Sequence, residues 1–75
     1  MALKEGGKDM KNTVRVERAI MDITQQQLAD AIGVSRNTIN SIESGKYVPS
    51  TVLALKIARY FDKPTDSIFQ LDEND

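Results

Sequence analysis

Apolar residues recur at helical spacing through most of this chain, and the pattern breaks into short blocks separated by capping residues, glycines and prolines. The first block predicts a helix from about Asn12 or Thr13 to Met21, with one of those two polar residues as its N-cap. Val14, Arg18 and Met21 share one face, while Val16, Ile20 and Ile23 form a second apolar stripe nearly opposite. A helix apolar on two sides should be covered on both, by its own core or, failing that, by a partner chain. The second block opens on Thr24, and Thr24-x-x-Gln27 has the form of a capping box. Leu28, Ala29 and Ile32 then point inward, Ala31 sits near the boundary, and Gly33 supplies the left-handed conformation that ends a helix cheaply. Ser35 caps a third block only about three residues later, so the two helices must cross steeply as a helix-turn-helix.

On the third helix Ile39 and Ile42 mark the inward direction. The same wheel puts Asn37, Asn40, Ser41 and Ser44 outward, with Arg36 on the flank. Asn and Ser are mediocre helix formers, so selection for helix stability alone would favour other residues there. Glu43 falls on the inward side, as does Arg18 on the first helix, which predicts a semi-buried ion pair that positions more than it stabilises. Gly45 ends the third helix, and Ser50 caps a fourth that runs to about Phe61. That helix is apolar nearly all round, with only Lys56 and Arg59 clearly solvent-seeking, and is expected to be the central core helix. Pro64 stops it, Thr65 is expected to cap a short helix over about 66–69, and Phe69-Gln70-Leu71-Asp72 alternates like a short strand.

Composition narrows the chemistry. Seventy-five residues support one domain, and the chain holds no cysteine and no histidine. Disulfides, thiolate or histidine metal sites and histidine-based catalysis are thereby excluded, and no metal or cofactor is expected. No apolar run approaches the roughly 18 residues of a membrane span, so a soluble, cytoplasmic protein without membrane association is the expectation. Residues 1–9 are polar, contain Gly6-Gly7 and look like a flexible leader; 10–72 form the folded unit and 73–75 an acidic tail. The net charge of −1 conceals a split: 10–63 carry eight Lys/Arg against five Asp/Glu, a balance of +3, whereas 64–75 carry −4. Phosphate binding depends on where charge sits more than on its total.

The outward face of the third helix has the size and donors suited to a DNA major groove. Arg36 can meet guanine O6 and N7 in bidentate fashion, Asn37 or Asn40 can pair with adenine N6 and N7, and Ser41 or Ser44 can serve base or phosphate. Gln25 and Gln26, in the first turn of the second helix, are placed to hold the sugar-phosphate backbone, with Lys46 on the other side. Ser35, Thr38, Ser44 and Tyr47 complete the expected backbone contacts.

The run Thr24-Gln25-x-x-Leu28-Ala29-x-x-Ile32-Gly33-Val34-Ser35-x-x-Thr38-Ile39-x-x-Ile42-Glu43-x-Gly45-Lys46 resembles the Cro/CI-type (XRE) helix-turn-helix repressors. The continuation Tyr47-x-Pro49-Ser50, Ala54-x-Lys56-Ile57-Ala58 and Ile68-Phe69 resembles the compact single-domain bacterial members, so the likeness spans nearly all of 10–71. It implies an all-α, five-helix lambda-repressor-like DNA-binding domain that binds a palindromic operator as a homodimer. By position it implies a phosphate clamp at Gln25, base reading by Arg36, Asn37 and Ser41 with Asn40 as adjunct, backbone contacts at Ser44 and Lys46, and the Arg18–Glu43 pair. It further implies a small antiparallel sheet joining about 9–11 to 69–72 near the dimer interface, to which Ile68, Phe69 and Leu71 would contribute. Two residues depart from the family pattern: Glu17, where an aliphatic residue is usual, and Asp22, where glycine is common but aspartate can also end a helix. The expected function is repression by operator occupancy with double-stranded DNA as partner and no catalysis. The rival is an antitoxin or anti-regulator whose main partner is another protein, supported by the acidic tail and the second stripe of the first helix.

Overall fold

The computed structural model describes residues 11–70. Five helices, α1 (Val14–Met21), α2 (Gln25–Ile32), α3 (Arg36–Glu43), α4 (Thr51–Phe61) and α5 (Thr65–Ile68), are flanked by two short strands, β1 (Lys11–Asn12) and β2 (Phe69–Gln70). The strands pair antiparallel, Lys11 opposite Gln70 and Asn12 opposite Phe69, so the expected all-α fold with a small terminal sheet is observed. The second strand lies within the expected range and the first runs one residue beyond it, to Asn12; residues 9, 10, 71 and 72 fall outside the described residues, as do the leader and the acidic tail.

Local chemistry sets the boundaries. Thr24 Oγ1 accepts from the Gln27 N–H at 3.0 Å and Gln27 Oε1 accepts from the Thr24 N–H at 2.8 Å, completing the capping box. Ser35 and Ser50 likewise accept from the N–H groups of Thr38 and Leu53. Gly33 closes α2 at φ 89°, and its N–H and that of Val34 both return to the Ala29 carbonyl. Asp22 ends α1 at φ 58°, as its short side chain allows; Asp62 ends α4 in the same way, two residues before Pro64. Two caps differ from expectation. Thr13 occupies the N-cap position of α1 without a side-chain cap, and Asn12 Oδ1 accepts from the Val14 N–H instead. Thr65 is the first residue of α5 rather than its cap, because the Pro64 carbonyl already takes the Ser67 N–H and hydroxyl.

The core is built from Val14, Leu28, Ala29, Ile32, Ile39, Ile42, Leu53, Ile57, Ala58, Phe61, Ile68 and Phe69. Full burial of each large aliphatic side chain contributes about 1.5–3 kcal/mol, which is what holds helices of eight residues together. Ile68 and Phe69, expected at a dimer contact, are filled into this intrachain core, so their apolarity is accounted for without a partner.

Two expectations about helix coverage are corrected. The inner face of α1 is Val14 with Glu17 and Arg18, while of the second stripe Val16 (55%) and Ile20 (68%) are exposed and Ile23 is half-buried against the core; Met21, expected on the face of Val14 and Arg18, is exposed too. Helix α1 packs against α3, and its Glu17 reaches Lys63 just beyond α4. Helix α4 buries Leu53, Ile57, Ala58 and Phe61 but leaves Val52 and Leu55 exposed beside Lys56 and Arg59, so it lies at the edge of the core rather than through its centre.

Candidate nucleic-acid interface

The outward face of α3 exists because its inward face is saturated. Ile39 and Ile42 are fully buried, and 3.6-residue periodicity then forces Arg36, Asn37 and Asn40 to the surface, with Ser41 half-buried beside them. Ser35 and Thr38 flank the start of the helix, their hydroxyls 3.0 Å apart. Ser44, Lys46 and Tyr47 close its other end; the N–H groups of Lys46 and Tyr47 both return to the Ser41 carbonyl, and the three side chains are exposed. Asn37, Thr38, Ser41 and Tyr47 border one shallow depression. All the residues expected to read bases thus lie on one helix edge, with the expected backbone contacts at its two ends and at the start of α2.

Beneath this edge lies a polar network. Arg18 grips Glu43 with two hydrogen bonds, Nε to Oε2 at 2.6 Å and Nη2 to Oε1 at 3.1 Å, and its Nη1 donates to the Ile23 carbonyl at 2.9 Å. The predicted ion pair is therefore present, with the Glu43 side chain fully buried. Burial by itself would raise the Glu43 pKa. Hydrogen bonds from Arg18 and Gln25 and the attraction of Arg18 and Arg15 outweigh that and hold the carboxyl below its ordinary value. The Arg18 guanidinium is raised, chiefly by its hydrogen bond to Glu43. A carboxyl depressed in the folded state stabilises fully above its unfolded pKa, and that contribution is lost as pH falls through the folded value. Wild-type stability should therefore drop, as pH is lowered below about 4.5, more steeply than that of Glu43→Gln. Urea midpoints of the two proteins between neutral pH and pH 3 check this, and parallel curves would contradict it.

Gln25 departs most from expectation. Its Nε2 donates to Glu43 Oε1 at 3.0 Å and Asn40 Oδ1 at 3.2 Å, and its Oε1 accepts from Arg36 Nη1 at 3.4 Å. The side chain expected to clamp a phosphate is engaged between α2 and α3. Gln26 is exposed, its Nε2 donating to Asp30 one turn on at 2.8 Å. Thr24, Gln25, Gln26, Arg18 and Arg36 border an open hollow at the start of α2, where first-turn N–H groups lack intrahelical partners.

Three supports were missed. Asn12 Nδ2 donates to the Ile42 carbonyl at 2.8 Å and ties the terminal sheet to the end of α3. Arg15 Nε lies 3.7 Å from Glu43 Oε1 as a second cation. The departure at Glu17 is also resolved: the residue is buried on the inner face of α1, and Lys63 Nζ donates to its Oε2 at 3.0 Å. These partners lie up to 46 positions apart, and no local pattern announces them.

Among the described residues, no group of three or more His, Cys, Asp or Glu is placed to hold a metal ion, and no helix is long and apolar enough to cross a membrane.

Comparison with known proteins agrees with this geometry. A family model described as helix-turn-helix (HTH_3) matches residues 14–68. An uncharacterized HTH-type transcriptional regulator of Methanocaldococcus jannaschii is 46% identical over 66 residues, covering 88% of this chain and 100% of that protein. The uncharacterized HTH-type transcriptional regulator YgzD of Bacillus subtilis is 44% identical over 64 residues, covering 85% and 97%. Among solved structures, a Bacteroides fragilis protein for which DNA binding is proposed superimposes with a TM-score of 0.73 at 30% identity, over 81% of this chain and 98% of that one. With a family match across its whole helical body and relatives aligned over nearly their full lengths, this chain belongs to the helix-turn-helix family of transcriptional regulators.

Proposed function

We propose that the chain is a Cro/CI-type repressor that occupies a palindromic operator as a homodimer, with α3 of each copy in the major groove. The observation that carries this is the exposed edge of Arg36, Asn37, Asn40 and Ser41 on a helix whose other face is wholly buried and pinned by Arg18–Glu43. Arg36 supplies donors for guanine, Asn37 and Ser41 for neighbouring bases, and Gln26, Ser35, Thr38, Ser44, Lys46 and Tyr47 hold phosphates on either side. Two such helices would enter successive major grooves about 34 Å apart. Selecting bound sites from random duplexes tests the reading directly. Enrichment of a palindrome is expected, and a bound pool without any sequence preference would sink it.

For the second copy, Ile68 and Phe69 are already used within the core. The contact passes instead to the exposed apolar residues Val48, Val52 and Leu55 of α4 and the loop before it, next to the α5–β2 end. Leu55→Lys should shift the sedimenting mass from dimer to monomer while leaving the circular dichroism of the helices intact. A variant that still sediments as a dimer would move the interface elsewhere.

Lys46 follows the end of α3 with an exposed side chain. As a phosphate contact, Lys46→Ala should weaken binding to all sequences alike and lower the salt slope of log K by about one. Titration of one specific and one unrelated duplex at several salt concentrations measures both effects. A protein partner remains the second reading, favoured by the bare Val16 and Ile20 stripe of α1.

A further inference from the structure

The network under α3 has a direction, and the buried carboxylate sets it. Glu43 is ionised and can only accept, so the Gln25 amide must turn its Nε2 toward it. With Nε2 fixed there, its second hydrogen meets Asn40 Oδ1 at 3.2 Å, and the remaining Oε1 is left to accept from Arg36 Nη1. Asn40 therefore has its oxygen engaged inward and its Nδ2 turned outward. An asparagine reads adenine by offering an acceptor to N6–H and a donor to N7 together. Asn40 Oδ1 keeps a second lone pair, but with one already committed to Gln25 its acceptor half is weakened while its donor is unaffected.

We infer that Gln25 is a positioning residue that transmits the polarity of buried Glu43 to the reading face, biasing Asn40 toward its donor and so toward guanine or thymine over adenine. Guanine presents N7 and O6, and thymine O4, as acceptors, whereas adenine places its own N6 donor against the Asn40 amide. The inference rests on the proposed DNA reading and narrows it: the sequence alone allows Asn40 the bidentate adenine contact, and the tertiary network disfavours it.

The experiment has two arms. In the first, operator selection is run on wild type, Asn40→Ala and Gln25→Met, the last preserving the length and apolar volume of Gln25 without its amide. The base pair whose preference disappears in Asn40→Ala is the Asn40 position. Wild type should favour guanine or thymine there by about fivefold or more, and Gln25→Met should admit adenine at that pair. A wild-type preference for adenine, no pair affected by Asn40→Ala, or an unchanged pair in Gln25→Met would each overturn the inference. The second arm needs no DNA. In the free protein both side-chain amide protons of Gln25 should be protected and shifted in the ¹⁵N spectrum, and Glu43→Gln should move them. Amide protons that match those of a solvated glutamine would overturn the relay whatever the DNA result. A protein that shows the relay but selects no sequence would refute the DNA reading, and with it this specificity.

Discussion

Arg18→Ala is expected to destabilise the fold by about 3 kcal/mol, a large fraction of the total for a domain of this size. Removing the guanidinium strands a fully buried carboxylate, and breaking such a pair on one side ordinarily costs about 3–5 kcal/mol. The lower end applies because Gln25 Nε2 still donates to Glu43 Oε1 and Arg15 lies 3.7 Å away. Thermal unfolding should fall by roughly 12–24 °C at that loss. The pair as a whole is worth much less than either half, since desolvation of two charges offsets most of their attraction. The double variant Arg18→Met/Glu43→Leu should therefore recover most of the stability. It should not recover sequence selectivity, because Gln25 would have lost the acceptor that orients it. Urea denaturation of the three variants checks the first claim and duplex selection the second. A cost under about 1 kcal/mol for Arg18→Ala would mean that water reaches Glu43.

Arg36→Ala should cost about 1–3 kcal/mol of binding to the preferred operator and relax the preference at one base pair. The side chain is exposed, and its hydrogen bond to Gln25, Nη1 to Oε1 at 3.4 Å, is long. That contact steadies the guanidinium without occupying it, so its other donors stay free for guanine. Folding stability should hardly change, which separates this variant from Arg18→Ala. Competition titrations against duplexes altered at single positions give the measurement. If all duplexes weaken by the same factor, Arg36 contacts phosphate and the base-reading role belongs to its neighbours.

These two arginines also show where local pattern suffices. Both were placed by a helical wheel, Arg18 inward and Arg36 on the flank of the outward face, and the structure pairs the first with buried Glu43 and leaves the second exposed. The wheel failed for the outer stripe of α1 and for Val52 and Leu55, where it identifies a face as apolar but carries no information about whether another element covers it. At the chain end, Ile68 and Phe69 were expected at a dimer contact, and both are buried in the intrachain core, Phe69 paired opposite Asn12.

What the sequence alone determined was the set of short-range features: the Thr24, Ser35 and Ser50 caps, the Gly33 turn, the helix positions, and the polar edge of Arg36, Asn37, Asn40 and Ser41. Each depends on residues within about one or two helical turns, the range over which capping and periodicity act. Only the tertiary structure decided that Lys63 neutralises Glu17, that Asn12 holds the end of α3, and that Gln25 faces Glu43 and Asn40 rather than solvent. Those contacts join elements whose relative placement follows from packing the whole core, so they exist only once Leu28, Ile39, Ile42 and Ile57 have come together.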